Sequence, residues 1–465
     1  MKKLIHTFLL PLLIISFSAC GASNDLNLDD KDEGAKESGL SDSAVSDSID
    51  NEQDVQLTSF ESMFKDGPKL AWDDNKMAGY IDINGDWVIE PIFSDARKFS
   101  EDLAAVCDAA SGKWGYINKE GEWIIDPQYY NACSFLEGTA VVATVDYNSY
   151  GLINKDGNFI IDPVNRYVTN YKDGYALVQK EYESSYRFVD ENGNEVFEEL
   201  HNAYLFHDGK AVVQRMTADG DWYFLDEDGN FTRINVVTGD DAFGSCVAYG
   251  DYEASHAGYI DFSTDYAIKS LYGDYVMIDG EGNPISPYFD YLYSYSKDYA
   301  EAATEDEYGG KKYGFVDKTD YEWIIEPKYW EAGFRGPDYV WVVEEESIGN
   351  YKWYILDLDG NVACDFEDHN GIHFLSGQIY SIYPDKREIP VPAAKKTGED
   401  PMDFKCGYAN WNYEEVIPFI YEEVRGFPSD MSYSIVKYDG HYGIIDANGN
   451  WLIEPRFTSF DTKPY

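Results

Sequence analysis

The chain of 465 residues is poor in the groups that usually announce chemistry. It has six cysteines, at 20, 107, 133, 246, 364 and 406, and no CxxC pair. If Cys20 is set aside as a lipidation site, an odd number remains. That excludes a simple disulfide framework and a zinc ribbon, and leaves most thiols as small buried apolar groups. Basic residues are scarce: 36 Lys and Arg stand against 86 Asp and Glu, a formal charge of −50. Phosphates would be repelled, so nucleic acid and direct adhesion to anionic lipid are excluded as partners. There is no GxSxG, no GK[ST] phosphate loop and no HExxH. The chain therefore reads as a non-enzyme without a cofactor.

Long apolar runs are missing too. The one candidate, Leu4 to Ile15 in "MKKLIHTFLLPLLIISFSAC", is too short to span a bilayer comfortably. Two lysines before it and small residues after it make residues 1–20 a secretion signal. The ending Phe17-Ser18-Ala19-Cys20 resembles a bacterial lipobox, with Phe17 where Leu is usual. Lipidated Cys20 would hold the protein to a membrane on the extracytoplasmic side of the cell envelope, because each buried methylene contributes about 0.8 kcal/mol. Residues 21–57 are rich in Ser, Asp and Gly and lack aromatics. They cannot bury enough apolar surface to offset ordering entropy, which predicts a disordered acidic tether.

What the chain has in abundance is aromatic residues, 40 Tyr, 25 Phe and 11 Trp, and repetition. "AGYIDINGDWVIEP" at Gly79, "WGYINKEGEWIIDP" at Gly115 and "YGLINKDGNFIIDP" at Gly151 are followed by weaker copies at Arg187 and Tyr223, each 36 residues after the last. Further copies lie near Val276, Gly314, Tyr354, Gly407 and Gly443. Asn or Asp before Gly, as in Asn84-Gly85 and Asp156-Gly157, is a strong hairpin signal, because glycine accepts positive φ. The rings two residues later, Trp87, Trp123, Phe159, Phe231 and Trp451, alternate toward one side of a strand and read as core. A second phrase, as in "FSEDLAAV" and "FLEGTAVV", suggests a third strand, making each unit a three-stranded meander that must stack on its neighbours. Prolines 91, 127, 163, 327, 418 and 455 are expected to end strands.

These copies resemble the WG-repeat family of bacterial proteins, from about Phe60 to the C-terminus. The resemblance implies an all-β repeat array, often on secreted or surface proteins, and no single activity. The expected fold for residues 58–465 is all-β: a tandem array of about ten short antiparallel meander or hairpin repeats, either a propeller-like ring or an open β-superhelix. The folded part opens with a third-strand phrase, "FKDGPKLAW", and closes with a hairpin, "YGIIDANGNWLIEPRF". Those are complementary halves of one unit, as a ring sealed through its ends requires.

Candidate sites are few. His369 and His373 have zinc-like spacing beside Asp368, but in a Gly-containing, strand-flanked segment they read as loop histidines. "DEDGN" at Asp226 and "DLDGN" at Asp357 look like calcium loops yet coincide with the repeat's turn. Tyr291, Tyr293 and Tyr295, in "YFDYLYSYSKDY", are binding candidates if strand alternation turns some rings outward to sugars or a peptide. Residues 384–404, with "PDKREIPVPAAKKTGEDP", form a basic, proline-rich insertion. The functional expectation is a monomeric, membrane-tethered, non-catalytic scaffold for a protein, peptide or envelope polysaccharide. The alternative is an envelope hydrolase with a loop-built site at one end of the array.

Overall fold

The computed structural model describes residues 58–145, 149–180, 182–217, 220–235, 266–269, 274–294, 298–306, 308–335, 337–347, 350–367, 369, 371–398 and 404–460. The signal, the tether, Tyr295, Asp368, Cys246 and most of the weak stretch from Gly239 to Gly273 lie outside them. Residues 56–465 form one compact unit. Among the described residues no helix is long and apolar enough to cross a membrane.

The chain runs as an antiparallel meander in which sequential strands are neighbours. Ten strands carry the repeat's central phrase: Ala78–Ile81, Trp114–Ile117, Tyr150–Asn154, Tyr186–Asp190, Trp222–Asp226, Tyr275–Ile278, Lys311–Asp317, Asn350–Asp357, Phe404–Ala409 and His441–Ile445. Each pairs with a strand before it, and nine pair with a named strand after it; Tyr275–Ile278 instead makes bridges to Pro284 and Phe289. This gives ten modules among the described residues.

The modules are four-stranded where the expectation was three, because the segment after the turn goes on to pair with the next module, as one strand in Trp87–Ala96, Phe159–Val168 and Glu195–Ala203 and as two successive strands elsewhere, as in Trp323–Tyr329 and Glu331–Phe334. Trp87–Ala96 pairs through Trp87 and Ile89 with Ala78–Ile81, then through Asp95 and Ala96 with Ala104–Asp108 of the next module. Proline does not end these strands; Pro91 lies inside Trp87–Ala96. The register slips by one residue at Ile89 and by two more at Phe93. The same slips recur at Ile125 and Tyr129, at Ile417 and Tyr421, and at Ile453 and Phe457. A bulge needs no ladder donor, so proline fits there.

The glycine of the repeat faces this bulge. A Cβ on Gly79 would stand 2.6 Å from Ile89 O and 2.8 Å from Pro91 N, and one on Gly115 would stand 2.5 Å from Ile125 O. The motif's Gly and its Pro, twelve residues apart in sequence, are thus one device.

The turns are built on side chains. Asp190 Oδ1 accepts the N–H groups of Asn192 at 3.0 Å and Asn194 at 2.8 Å, while Gly193 N–H reaches Asp190 O at 2.9 Å with φ near +81°. Asp82, Asn118, Asn154 and Asp446 do the same. This is why Asp or Asn stands three residues before the turn glycine.

The apolar cores lie across module boundaries. One joins Leu70 and Tyr80 of the first module to Ala104 and Val106 of the second; another joins Tyr116 of the second to Phe135 and Ile153 of the third. A third joins Tyr299 and Phe315 to Val340 and Leu356. Where the residue after the repeat glycine is tyrosine, its hydroxyl ties the next module's backbone: Tyr80 to Arg97 O at 2.6 Å, Tyr116 to Cys133 O at 2.8 Å and Tyr408 to Arg425 O at 2.8 Å. Cys107, Cys133 and Cys364 are buried and Cys406 is half-buried.

The last module joins the first. Ser459–Phe460 pairs antiparallel with Lys69–Trp72, Trp72 opposite Ser459 and Ala71 opposite Phe460. Ala71 and Ile81 share a core with Ile444, Ile453 and Phe457. Several turn glycines rest on the preceding module: Gly121 on Ile89, Gly157 on Ile125, Gly449 on Ile417, and Gly85 on Ile453. The array is therefore a ring sealed by strand pairing, with no single closed barrel. A helix, Ser59–Phe64, capped by Thr58, lies over the seal, with Ser59 N–H on Asp430 and Phe60 N–H on Ser432 Oγ at 3.1 Å.

Candidate functional site

The tyrosine segment forms strand Tyr291–Ser294, antiparallel to Tyr299–Glu305. Tyr291 is half-buried, its ring 5.4 Å from Tyr313 and 5.5 Å from Tyr275. Lys311 Nζ lies 5.5 Å from the Tyr291 ring and 5.7 Å from Tyr275, and donates to Asp290 O at 2.9 Å. Tyr293 is about half exposed and pairs across the ladder with Glu301. The structure brings Tyr291 and Tyr293 to one face of the sheet.

Glu301 was not legible as unusual in an acidic sequence. It is buried between Tyr293 and Phe315 on the neighbouring strands, and burial pushes its carboxyl up to about 8. Burial is the one resolved cause of that shift.

The two histidines part company. His369 Nε2 pairs with Asp365 Oδ1 at 2.8 Å and its ring stacks on Tyr413 at 4.0 Å. His373 points its edge at Phe404, centroids 5.5 Å apart. Among the described residues no three His, Cys, Asp or Glu side chains gather to hold a metal. In the loops that look like calcium sites, the carboxylates serve the turn. Asp226 accepts Asn230 N–H at 2.7 Å and its side-chain amide at 3.0 Å, and Asp357 accepts those of Asn361 at 2.8 and 3.0 Å.

The expected insertion at 384–404 also changes form. Val391–Lys396 is a ladder strand, between Ile372–Phe374 and Phe404–Ala409. Its Val391 to Ala394 are buried, because small residues fit between two flanking strands. The true departure is the connection from Leu375 to Pro390, sixteen residues by the strand bounds, where Ala132 to Thr139 leaves six. It carries a 3-10 helix, Ser376–Ser381, and buries Ile379, Ile382 and Ile389. Arg335, on the eighth module, secures it by donating to Ile379 O at 2.8 Å and to Ile382 O, with Tyr383 over its guanidinium at 5.0 Å.

A second departure stands beside it. The hairpin Tyr339–Ser347 and Asn350–Asp357 has arms of nine and eight residues, against five and four in Ala104–Asp108 and Trp114–Ile117. Between the long hairpin and the start of the ninth module opens a cleft of about 320 Å³. Its walls include Tyr351, Lys352, Trp353, Phe366, Glu367 and Phe374. Lys352 Nζ bridges Glu346 at 2.8 Å and Glu367, and these hydrogen bonds hold the ammonium firmly charged. The 53-residue interval from Tyr354 to Gly407 is the trace of the long connection in the sequence, and the 40 residues from Gly314 to Tyr354, against the usual 36, are that of the long hairpin. Another cleft, of about 330 Å³, lies between the fifth and sixth modules and is lined in part by Lys210, Phe224 and Asp226.

Six segments, residues 79–108, 114–144, 150–182, 186–215, 406–440 and 442–462, match the WG containing repeat. The stretch between Arg215 and Cys406 lies outside those segments, yet its described residues continue the same module plan. No curated protein matches the sequence. Among solved structures, that of the eukaryotic initiation factor superposes with TM-score 0.40 at 10% identity, over 85% of this chain and 98% of that one. Dihydro-heme d1 dehydrogenase NirN in complex with DHE gives 0.32 at 10% identity, over 75% of each chain. Apo AztD from Citrobacter koseri gives 0.24 at 12% identity, over 62% of this chain and 91% of that one. Likenesses at this level carry no argument about fold or function.

Proposed function

We propose that the protein is a non-catalytic binding scaffold, tethered through lipidated Cys20 to the outer side of a membrane and presenting its sealed ring to a protein, peptide or polysaccharide of the envelope. The observation that carries the reading is the open, aromatic-walled cleft formed where the eighth and ninth modules depart from the repeat, with its charged groups tied into an ion-paired set. Recognition surfaces gather rings and satisfied polar groups, whereas hydrolysis needs a convergent acid and base. The tether would let the ring reach across the envelope, and the charge of −50 would keep it clear of anionic surfaces.

The test has two arms. Cys20→Ala should move the protein from the membrane fraction to the soluble one and abolish labelling by a fatty-acid analogue; retention at the membrane contradicts the anchor. Cross-linking on intact cells should recover a repeatable envelope component with the full chain. The hydrolase alternative prevails if the purified protein releases fragments from envelope polysaccharide.

A further inference from the structure

We propose that the cleft between the eighth and ninth modules binds a neutral, pyranose-containing oligosaccharide; this rests on the scaffold reading above and gives it a site and a ligand class. The cleft exists because two local additions meet. Tyr351, Lys352 and Trp353 come from the lengthened hairpin, and Phe374 to Gly377 lead into the sixteen-residue connection. Neither addition is needed to close a module, since the other modules do without them.

The cleft walls are pre-set. Trp353 stacks on Trp341 with centroids 5.5 Å apart and planes at 27°, and Trp341 Nε1 donates to Tyr380 Oη at 3.2 Å. Gly333 permits this: a Cβ there would stand 2.5 Å from the Trp341 ring. Fixed rings suit the C–H faces of a sugar, because little side-chain entropy is lost on contact. At the same wall Lys352, held between Glu346 and Glu367, forms a set of one cation and two carboxylates that offers donors and acceptors and no net positive charge. An uncharged, hydroxyl-rich ligand can bond to both. A polyanion would gain no net cation there and would face the charge of the whole chain. The volume of about 320 Å³ falls at the small end of ordinary ligand sites, which suits a short segment of a chain whose ends emerge.

The experiment is titration of the full chain, and of Tyr351→Ala and Glu367→Gln, with chitotetraose and cellotetraose. Tetragalacturonate and an extended uncharged decapeptide serve as comparisons, and tryptophan fluorescence is the readout. Both replaced side chains are at least partly exposed, so the variants should retain the wild-type melting profile. The expected result is saturable binding of a neutral tetrasaccharide, weakened about tenfold by each substitution. No neutral binding, binding untouched by either substitution, or equal or tighter binding of tetragalacturonate or the decapeptide overturns the assignment. If the variants still cross-link the envelope component while the sugars fail, the site assignment falls and the scaffold reading stands.

Discussion

Trp87 of the first module meets Phe457 of the last edge to face, ring centroids 5.4 Å apart and planes at 82°. The same pair recurs along the array. Trp123 meets Phe93 at 5.9 Å and 87°, Phe159 meets Tyr129 at 6.4 Å and 90°, and Trp451 meets Tyr421 at 6.1 Å and 85°. At these four places the ring that follows the turn glycine packs on the aromatic of the module before, so it belongs to a junction and stays half-buried or, at Phe159, exposed. The seal between the ends is therefore one more copy of a junction used throughout.

Because the seal is an ordinary junction, Trp87→Ala should cost about as much as Trp123→Ala, roughly 2 kcal/mol each. Denaturant midpoints of the two variants would show it. A Trp87→Ala variant indistinguishable from the parent would contradict the seal.

The two kinds of glycine should separate cleanly. Gly115→Ala forces a Cβ to 2.5 Å from a backbone carbonyl and should cost several kcal/mol. Gly138 has open space around it and only its positive φ of 76°, so Gly138→Ala should cost about 1 kcal/mol. Melting temperatures in that order support the bulge account, and the reverse order refutes it.

Tyr116→Phe removes the bond to Cys133 O and leaves that acceptor without its donor, at about 1 to 2 kcal/mol. Tyr408→Phe should do likewise at Arg425 O. Leu152 and Phe188 occupy the equivalent place without a hydroxyl, so loss of the bond should leave the fold intact. The double variant should show additive losses, the sites being far apart in the ring.

How much of this was legible follows from which contacts are local. The ten central strands could be read directly, because Asp-x-x-Gly turns between aromatic and β-branched runs are satisfied within five residues, as at Asp190–Asn194. Closure was legible as a possibility, since "FKDGPKLAW" and "YGIIDANGNWLIEPRF" are complementary halves. The shared fourth strand was hidden because Pro91 reads as a stop until Gly79 is seen opposite it. Val391–Lys396, "VPAAKK", has a strand's place and not its composition; its two neighbours impose the pairing. The cleft depends on Tyr351, Trp353 and Phe374 meeting across two modules, which no local pattern encodes.

Stability should respond to pH in two opposed ways. Glu301 binds its proton more tightly folded than unfolded, so its contribution is full below about pH 4 and is lost as pH rises toward 8. Glu301→Gln should stabilise the protein at pH 7 and flatten the slope between about 5 and 8, by a few kcal/mol on the order of the shift. A destabilised Gln variant at pH 7 would contradict the burial account.

The turn aspartates act in the other direction. Backbone and side-chain donors of Asn194 hold Asp190 below the usual carboxylate range, and the side chain and backbone of Asn230 do so for Asp226. Their stabilisation is present above about pH 4 and is lost as pH falls through their depressed values. Asp190→Ala should weaken the acid limb of the stability profile, read by melting temperature from pH 5 to 2, while Asp190→Asn should retain the turn.

The central claim is that apolar cover is shared between modules all the way round, including across the ends. Amide hydrogen exchange tests it on a chain ending at Gly440, which lacks the hairpin that carries Ile444, Ile453, Phe457 and strand Ser459–Phe460. The account predicts that protection is lost in residues 69–81, nearly four hundred positions away in sequence, and persists in residues 175–215. Unchanged exchange in residues 69–81 would contradict it.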